Sequence, residues 1–264
     1  MSSVHQLALN QLYASLELDR KAIGVRFLFT KEEYDACPVP PAKAKMAYFV
    51  MVKVASSGIC LKADLRLFGC GGATRALGLE EPSPTFRTGQ EYLSFGLYQD
   101  LAVSKYTANH ITLCSHHTHG VLLQPLEDFT EDCPPHIAIL VTNSYNAMRV
   151  VQGYTYKYGT QTTFKIAGNQ ALCAECSAYP FESNHINVSL LCSGTRYLAG
   201  WKDSDIAIGM PYGQFLQMCD GLYLSANGAE DNKHKAAMRE RLAARQLADP
   251  GLIDGEGYFI RCRG

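Results

Sequence analysis

One short motif, in which a cysteine is followed by small residues and then by Thr-Arg-x-Leu, occurs twice in the sequence. The first copy, CGGATRAL, covers residues 70–77, and the second, CSGTRYL, covers residues 192–198. An apolar stretch precedes each copy and a helical pattern follows it. Each cysteine is therefore expected at a helix N-terminus, where free N–H groups and the helix dipole favour a thiolate.

Small residues in such a turn let a bulky anion or a cluster approach the backbone. The motif thus predicts metal ligands at Cys70 and Cys192, and ligand contacts at three glycines, Gly71, Gly72 and Gly194. The alternative is that the glycines only make tight turns and that the cysteines are buried as small apolar residues.

Each copy of the motif also carries an arginine, Arg75 or Arg196. A guanidinium close to the site could offset the charge of a thiolate cluster or hold a substrate carboxylate, so both arginines are predicted to bind substrate. The alternative is that each pairs with an acidic residue at a helix surface.

The stretch LCAECSAYP contains a Cys-x-x-Cys pair, Cys173 and Cys176. Two thiols at this spacing can chelate one ion or cluster, or act as a redox pair. A zinc site usually needs a second pair of ligands, and the nearest candidates are Cys192 and a histidine-rich loop.

That loop, CSHHTHG, holds four residues of metal-ligating types within a few positions: Cys114, His116, His117 and His119. Imidazoles three residues apart can bind a divalent metal, although histidines are also common in exposed loops. The remaining cysteines have no supporting context and are predicted to be structural or incidental: Cys37, Cys60, Cys133, Cys219 and Cys262.

Composition limits the class of protein. The chain has 264 residues, of which 47% are hydrophobic, and a net charge of −1, so it can bury a core and has no basic field for nucleic acid. No apolar stretch is long enough for a membrane helix or a signal peptide. We therefore expect a cytoplasmic protein with reduced thiols, a small-molecule ligand, no nucleic-acid or membrane partner and, as the commonest oligomer, a homodimer.

Apolar runs predict strands within AIGVRFLFT, ICLKAD, PHIAILVTN, INVSLL and DSDIAIGMP, at residues 120–124, and in TTFKIAG (162–168). Helical spacing predicts helices between these strands, one of them capped by Asn143 or Ser144. This alternation predicts the α/β class, a mixed sheet with flanking helices in one compact domain over residues 1–226, followed by a charged tail over 227–264. The order of elements in 22–79 and 136–200 also predicts a loose internal duplication.

Several segments together resemble one known family. FGCGGATRALGL, PHIAILVTNSYNAMRVVQ, GNQALCAECSAYPF, INVSLLCSGTRYLAGW and IAIGMPYGQFL occur in the order seen in the domain of unknown function 169 family of bacteria and archaea. The resemblance covers roughly residues 5–225 and implies no settled activity. It implies recurring cysteines that match Cys70, Cys173 and Cys192, with a fourth in a Tyr-Cys pair that reads Tyr48-Phe49 here.

With Phe49 in the fourth position, three thiolates remain. We therefore expect an iron–sulfur cluster, of the 4Fe-4S type, with three cysteine ligands, Cys176 in reserve and one iron open to a small-molecule substrate, as in an enzyme of anaerobic metabolism. The alternatives are a non-catalytic protein that binds a small molecule or an anion, and a zinc protein that uses cysteines with His116 or His119.

Overall fold

Six strands form a single sheet at the centre of the chain. The computed structural model describes residues 3–255. The strands are β1 (Ile23–Leu28), β2 (Leu61–Asp64), β3 (Gly120–Pro125), β4 (Ile137–Thr142), β5 (Asn187–Ser189) and β6 (Ile206–Pro211). They lie in the order β2-β3-β1-β4-β6-β5. The predicted α/β class with flanking helices is confirmed.

All ladders between these six strands are antiparallel, where the sequence predicted mixed directions. The reason is that a third strand is inserted between each pair of helix-linked strands. β1 and β2 run the same way with β3 between them, and β4 and β5 run the same way with β6 between them, as in a split βαβ unit.

The two halves of the sheet have the same strand arrangement. In each half the first strand is central, the third lies beside it and the second forms the edge. The register also agrees, because Ile23 of β1 pairs with Pro125 and Ile137 of β4 pairs with Pro211. A duplication would leave this pattern, but the origin of the two halves by duplication stays a prediction.

The helices are α1 (Val4–Ser15), α2 (Lys31–Ala36), α3 (Tyr48–Ser56), α4 (Gly71–Ala76), α5 (Pro84–Arg87), α6 (Gln90–Ser94), α7 (Leu101–His110), α8 (Ser144–Tyr158), α9 (Tyr179–Ser183), α10 (Ser193–Ala199), α11 (Tyr212–Leu224), α12 (Ala226–Ala229) and α13 (Asn232–Ala244). A π-helix covers Ala171–Ala178, and short 3-10 helices cover Leu65–Leu67 and Leu126–Asp128. The predicted cap of α8 is confirmed, since the Asn143 side chain accepts the N–H of Asn146 at 2.9 Å.

Alternate residues of the strands enter two separate cores, which is why the strands read as continuous apolar runs. On one face, which we call the site face, Val25 and Ile139 pack with residues of α3, α4 and the π-helix. On the opposite face, Ala138 and Leu140 pack with residues of α1, α8 and α11. The sheet thereby holds the helices of the site face in fixed positions.

The strand predicted at 162–168 is wrong, because this segment is a loop. Its backbone is hydrogen-bonded to a side chain instead of a neighbouring strand. The N–H of Lys165 donates to Oδ1 of Asn187 at 3.0 Å, and Nδ2 of Asn187 donates to the Lys165 carbonyl at 2.9 Å. Asn187 thus satisfies the groups that a ladder would otherwise pair.

The C-terminal region contains a packed helix. α13 lies against α1 and buries Met238 and Leu242. Just before it, Glu230 forms a buried ion pair with Arg149 at 2.5 Å. Residues 256–264, including Cys262, lie outside the described part of the chain. Within residues 3–255, no helix has both the length and the apolar character needed to cross a membrane.

Candidate functional site

Three of the predicted ligands line one cavity on the site face. Cys70, Cys173 and Cys192 border a pocket of about 360 Å³, which we call the thiol pocket. Cys70 is the N-cap residue of α4, and Cys192 is the N-cap residue of α10. The topology thereby brings together residues that lie more than a hundred positions apart, and the pocket lies between the corresponding turns of the two halves.

Cys173 is the most buried of the three thiols. It lies on the π-helix and is 6% exposed. Burial raises the pKa of this thiol well above its usual range, and the nearby sulfurs of Cys70 and Cys192 add to the effect. A thiolate at this position therefore requires a cation beside it, and metal binding would release a proton.

The Cys192 sulfur is held in a hydrogen-bonded turn. The backbone N–H of Cys192 donates to Oγ1 of Thr195 at 2.9 Å, and the Thr195 hydroxyl donates to the Cys192 carbonyl while it lies 3.6 Å from Sγ. Thr195 is buried. Thr195 therefore fixes the turn that places the Cys192 sulfur at the pocket.

Phe49 also lines the thiol pocket, next to Gly194. A Cβ added to Gly194 would lie 3.5 Å from Cε1 of Phe49 and 4.0 Å from Sγ of Cys192. Gly194 therefore lies between the Phe49 ring and the Cys192 sulfur. α3, which carries Phe49, is joined to the π-helix by a buried hydrogen bond between Tyr48 Oη and Ser177 Oγ at 2.8 Å.

The π-helix is anchored by a buried carboxylate. Oε1 of Glu175 accepts the N–H groups of Ala167 and Gly168 at 2.7 and 3.1 Å, and Oε2 accepts the hydroxyl of Ser189. Burial raises the pKa of Glu175. π-helical turns are rare and are frequent at functional sites, and this one presents Cys173 to the pocket.

The residue before the π-helix has an unusual backbone. Gln170 has φ of 52°, in the left-handed region that side chains other than glycine rarely adopt. Its side chain packs over Gly72, where an added Cβ would come within 3.3 Å of Gln170 Cγ, and its Nε2 donates to the hydroxyl of Tyr92. Gly72 therefore leaves room for Gln170.

An ion pair between Arg75 and Glu91 also lines the thiol pocket. Arg75 is 8% exposed and donates to Glu91 through Nη1 at 3.2 Å and Nη2 at 2.7 Å. The guanidinium also stacks on Phe86, 4.4 Å from the ring centre. Arg75 therefore borders the pocket, as predicted for a substrate-binding residue, and also forms an ion pair with an acidic residue, as the alternative predicted.

Other predicted site residues lie elsewhere. Cys176 is fully buried in the core of the site face and is not part of the pocket lining. In a π-helix, residue i+3 is rotated about the helix axis further from residue i than in an α-helix, so Cys176 does not share the pocket-facing side of Cys173. Arg196 donates to the carbonyls of Leu190, Lys202 and Asp205. Gly71 lies beside Arg75, and an added Cβ would be 3.5 Å from Nη1.

The histidine-rich loop borders a cavity that shares Arg75 with the thiol pocket. Cys114, His116 and His117 border a second cavity, and the His119 ring lies against Tyr34. Burial raises the pKa of Cys114. Across residues 3–255, no group of three or more His, Cys, Asp or Glu side chains is placed to hold a single metal ion. All cysteines in that range are free.

Sequence reasoning missed the polar residues of the pocket. Glu91, Tyr92, Asn169 and Gln170 all line it. None belongs to a recognisable motif, and their places depend on the loop between α4 and α6 and on the backbone turn before the π-helix. The only available signal was the polar pair Asn-Gln directly before the apolar stretch ALCA.

The matches to known proteins cover most of the fold. A family model described as uncharacterised ArCR matches residues 11–221, a range that includes all three pocket thiols. An uncharacterised protein of Methanocaldococcus jannaschii is 24% identical over 206 residues, which are 76% of this chain and 86% of that protein. No solved structure matches the chain.

Proposed function

We propose that this chain, which belongs to the domain of unknown function 169 family, binds an iron–sulfur cluster of the 4Fe-4S type in the thiol pocket. The observation that carries the proposal is the convergence of Cys70, Cys173 and Cys192 on one cavity. Iron–sulfur clusters are held by cysteine thiolates, and these three come from three separate elements that the sheet fixes in place.

The size of the cavity supports a cluster over a single zinc ion. A zinc ion draws its ligand sulfurs to about 2.3 Å from one centre, whereas the ligands of a cluster bind different irons and stand further apart. The three thiols border a cavity of about 360 Å³, which is far larger than a single ion needs. Zinc held by the histidine-rich loop lacks this support.

The residues around the pocket have distinct roles in this proposal. Cys70, Cys173 and Cys192 would hold the cluster, and Thr195 would fix the turn that carries the Cys192 sulfur. Phe49 supplies no ligand atom and leaves one corner without a protein ligand. A cluster with an open iron supplies a Lewis acid for a substrate oxygen, nitrogen or sulfur. The side of the pocket near Arg75 and Glu91 is then the place for that substrate.

Anaerobic purification tests the proposal. We expect a brown protein with charge-transfer absorption in the visible range and about four irons and four sulfides for each chain. Colourless protein that contains neither iron nor sulfide, also after anaerobic reconstitution with iron and sulfide, would contradict it.

Cysteine variants then locate the cluster. Cys70→Ser, Cys173→Ser and Cys192→Ser should each lose most of the iron. The matched control is Cys37→Ser, a partly buried cysteine that packs against the opposite face of the sheet. Equal iron content in all four variants would remove the cluster from the thiol pocket.

A further inference from the structure

Another cavity, which we call the aromatic cavity, adjoins the thiol pocket. Its volume is about 290 Å³, close to the lower end of the range for small-molecule sites. Asn169 lines both cavities. The π-helix also borders both, since Cys173 lines the thiol pocket and Ala174 and Glu175 line the aromatic cavity. The aromatic cavity is thus built on the same rigid element as the proposed cluster site.

Aromatic rings dominate the lining of this cavity. They belong to Tyr98, Tyr106, His110, Phe164 and Tyr179. Tyr106 is 65% exposed and Phe164 is 42% exposed, although both are large and largely apolar. Exposed apolar side chains that come together at one cavity indicate a binding surface. Ring faces favour a planar aromatic ligand, because aromatic pairs attract each other beyond the area that they bury.

Hydroxyl groups are available to a ligand in this cavity. Tyrosines buried elsewhere on the site face use their hydroxyls, since Tyr48 bonds to Ser177 and Tyr92 to Gln170. Within residues 3–255, the Tyr179 hydroxyl has no such partner, and it is also not among the fully covered atoms that lack one. It therefore keeps contact with open space, although Tyr179 as a whole is buried.

The charge of the lining favours an anionic ligand. Lys165 lines the cavity, its backbone is fixed by two hydrogen bonds to Asn187, and its ammonium group has no ion-pair partner in the described part of the chain. The Glu175 carboxylate also borders the cavity, but its oxygens already accept two backbone N–H groups and a hydroxyl. An unpaired ammonium group is complementary to a carboxylate.

We propose that the aromatic cavity binds a small aromatic carboxylic acid, its ring against Tyr106 and Phe164 and its carboxylate paired with Lys165. This second site does not depend on the proposed cluster, because none of the three thiols of the thiol pocket lines it.

Three probes of similar size test the proposal on the purified full-length chain. Benzoate has the ring and the charge, benzamide has only the ring, and cyclohexanecarboxylate has only the charge. Ligand-observed NMR titration should give a Kd for benzoate about fivefold below that for benzamide, because a charge-assisted hydrogen bond is lost in the amide. The Kd for benzoate should also lie about fivefold below that for cyclohexanecarboxylate, which cannot stack. Equal affinity of benzoate and either analogue, or no binding of benzoate, would overturn the proposal.

Variants with matched controls identify the recognising residues. Lys165→Met should abolish the preference for benzoate over benzamide, whereas Lys105→Met, an exposed lysine outside the lining, should keep it. Tyr106→Leu should reduce the preference for benzoate over cyclohexanecarboxylate, whereas Tyr156→Leu, similarly exposed but outside the cavity, should not. These side chains are exposed or half-buried, so the variants should fold. An unchanged charge preference in Lys165→Met, or an equal loss in Lys105→Met, would overturn the assignment.

The Cys173→Ser variant keeps this site apart from the proposed cluster. It should bind benzoate with the parent affinity, since Cys173 does not line the aromatic cavity. Loss of benzoate binding together with iron would place the acid in the thiol pocket and overturn the second site. Parent protein without iron that still shows both preferences would contradict the cluster and support the acid site.

Discussion

The two cysteines of the Cys-x-x-Cys pair should respond in opposite ways to replacement by serine. Cys173 borders the thiol pocket, whereas Cys176 is fully buried in the core and outside the pocket lining. We expect Cys173→Ser to lose most of the bound iron and Cys176→Ser to retain it. A pair that chelates as a unit would instead lose its iron in both variants.

The stability effects should be the reverse. Cys176→Ser places a hydroxyl in a fully buried apolar site, and such burial destabilises proteins by about 1–3 kcal/mol. Ser189 lies within hydrogen-bonding reach of position 176, so we expect the lower part of that range, about 1–2 kcal/mol. The side chain at position 173 borders a cavity, so its hydroxyl in Cys173→Ser need not be buried in the core. The free energy of unfolding of the metal-free variant should therefore fall by less than about 1 kcal/mol.

Two measurements on the same preparations separate these effects. Iron and sulfide are determined on anaerobically reconstituted protein, and urea unfolding followed by circular dichroism is measured on the metal-free form at pH 7. Loss of iron in Cys176→Ser without loss of stability, or retention of iron in Cys173→Ser, would refute the division of roles between the two thiols.

Three further predictions concern other parts of the chain. Phe49→Cys should add a fourth thiolate beside Gly194 and should retain the iron. Cyanide should shift the electron paramagnetic resonance spectrum of the parent protein, because one iron is open, but it should not shift that of the variant. A shift that persists in the variant would contradict the open corner. Glu230→Ala leaves the fully buried Arg149 unpaired and should destabilise the fold by about 3–5 kcal/mol in urea unfolding, most of which the double variant with Arg149→Met should recover. Burial lowers the pKa of His136 to about 4 in the folded chain, compared with about 6.5 in the unfolded chain. Between pH 6.5 and pH 4, His136 is therefore protonated in the unfolded chain and neutral in the folded chain. Stability should therefore fall by about 2 kcal/mol as pH falls through this window, after allowance for partial exposure, and His136→Asn should lack this part of the pH dependence.

The sequence predicted the elements of the fold better than their arrangement. Continuous apolar runs marked all six strands, and Asn143 marked the start of α8. Strand direction could not be read, because it depends on the insertion of β3 and β6 between helix-linked strands. The loop at 162–168 looked like a strand because its hydrogen bonds go to the Asn187 side chain, which no local pattern reveals.

For the candidate site, the repeated motif was informative because each copy places a cysteine directly before a helix. It identified Cys70 and Cys192, and the resemblance to a family singled out Cys173 of the Cys-x-x-Cys pair; all three line one pocket. Arg196 looked equivalent to Arg75, yet only Arg75 borders the pocket, because Arg196 donates to backbone carbonyls of its own half. The place of Gln170 in the pocket lining was not predicted, because it depends on a left-handed backbone conformation that glutamine does not favour.

Anomalous diffraction at the iron absorption edge, from crystals grown without oxygen, tests the central claim most directly because it locates iron atoms without assumptions about ligands. The account predicts one compact anomalous peak inside the thiol pocket, between the sulfurs of Cys70, Cys173 and Cys192. Iron-reconstituted crystals with no peak there, or with their only peak at the loop that carries His116 and His119, would contradict it.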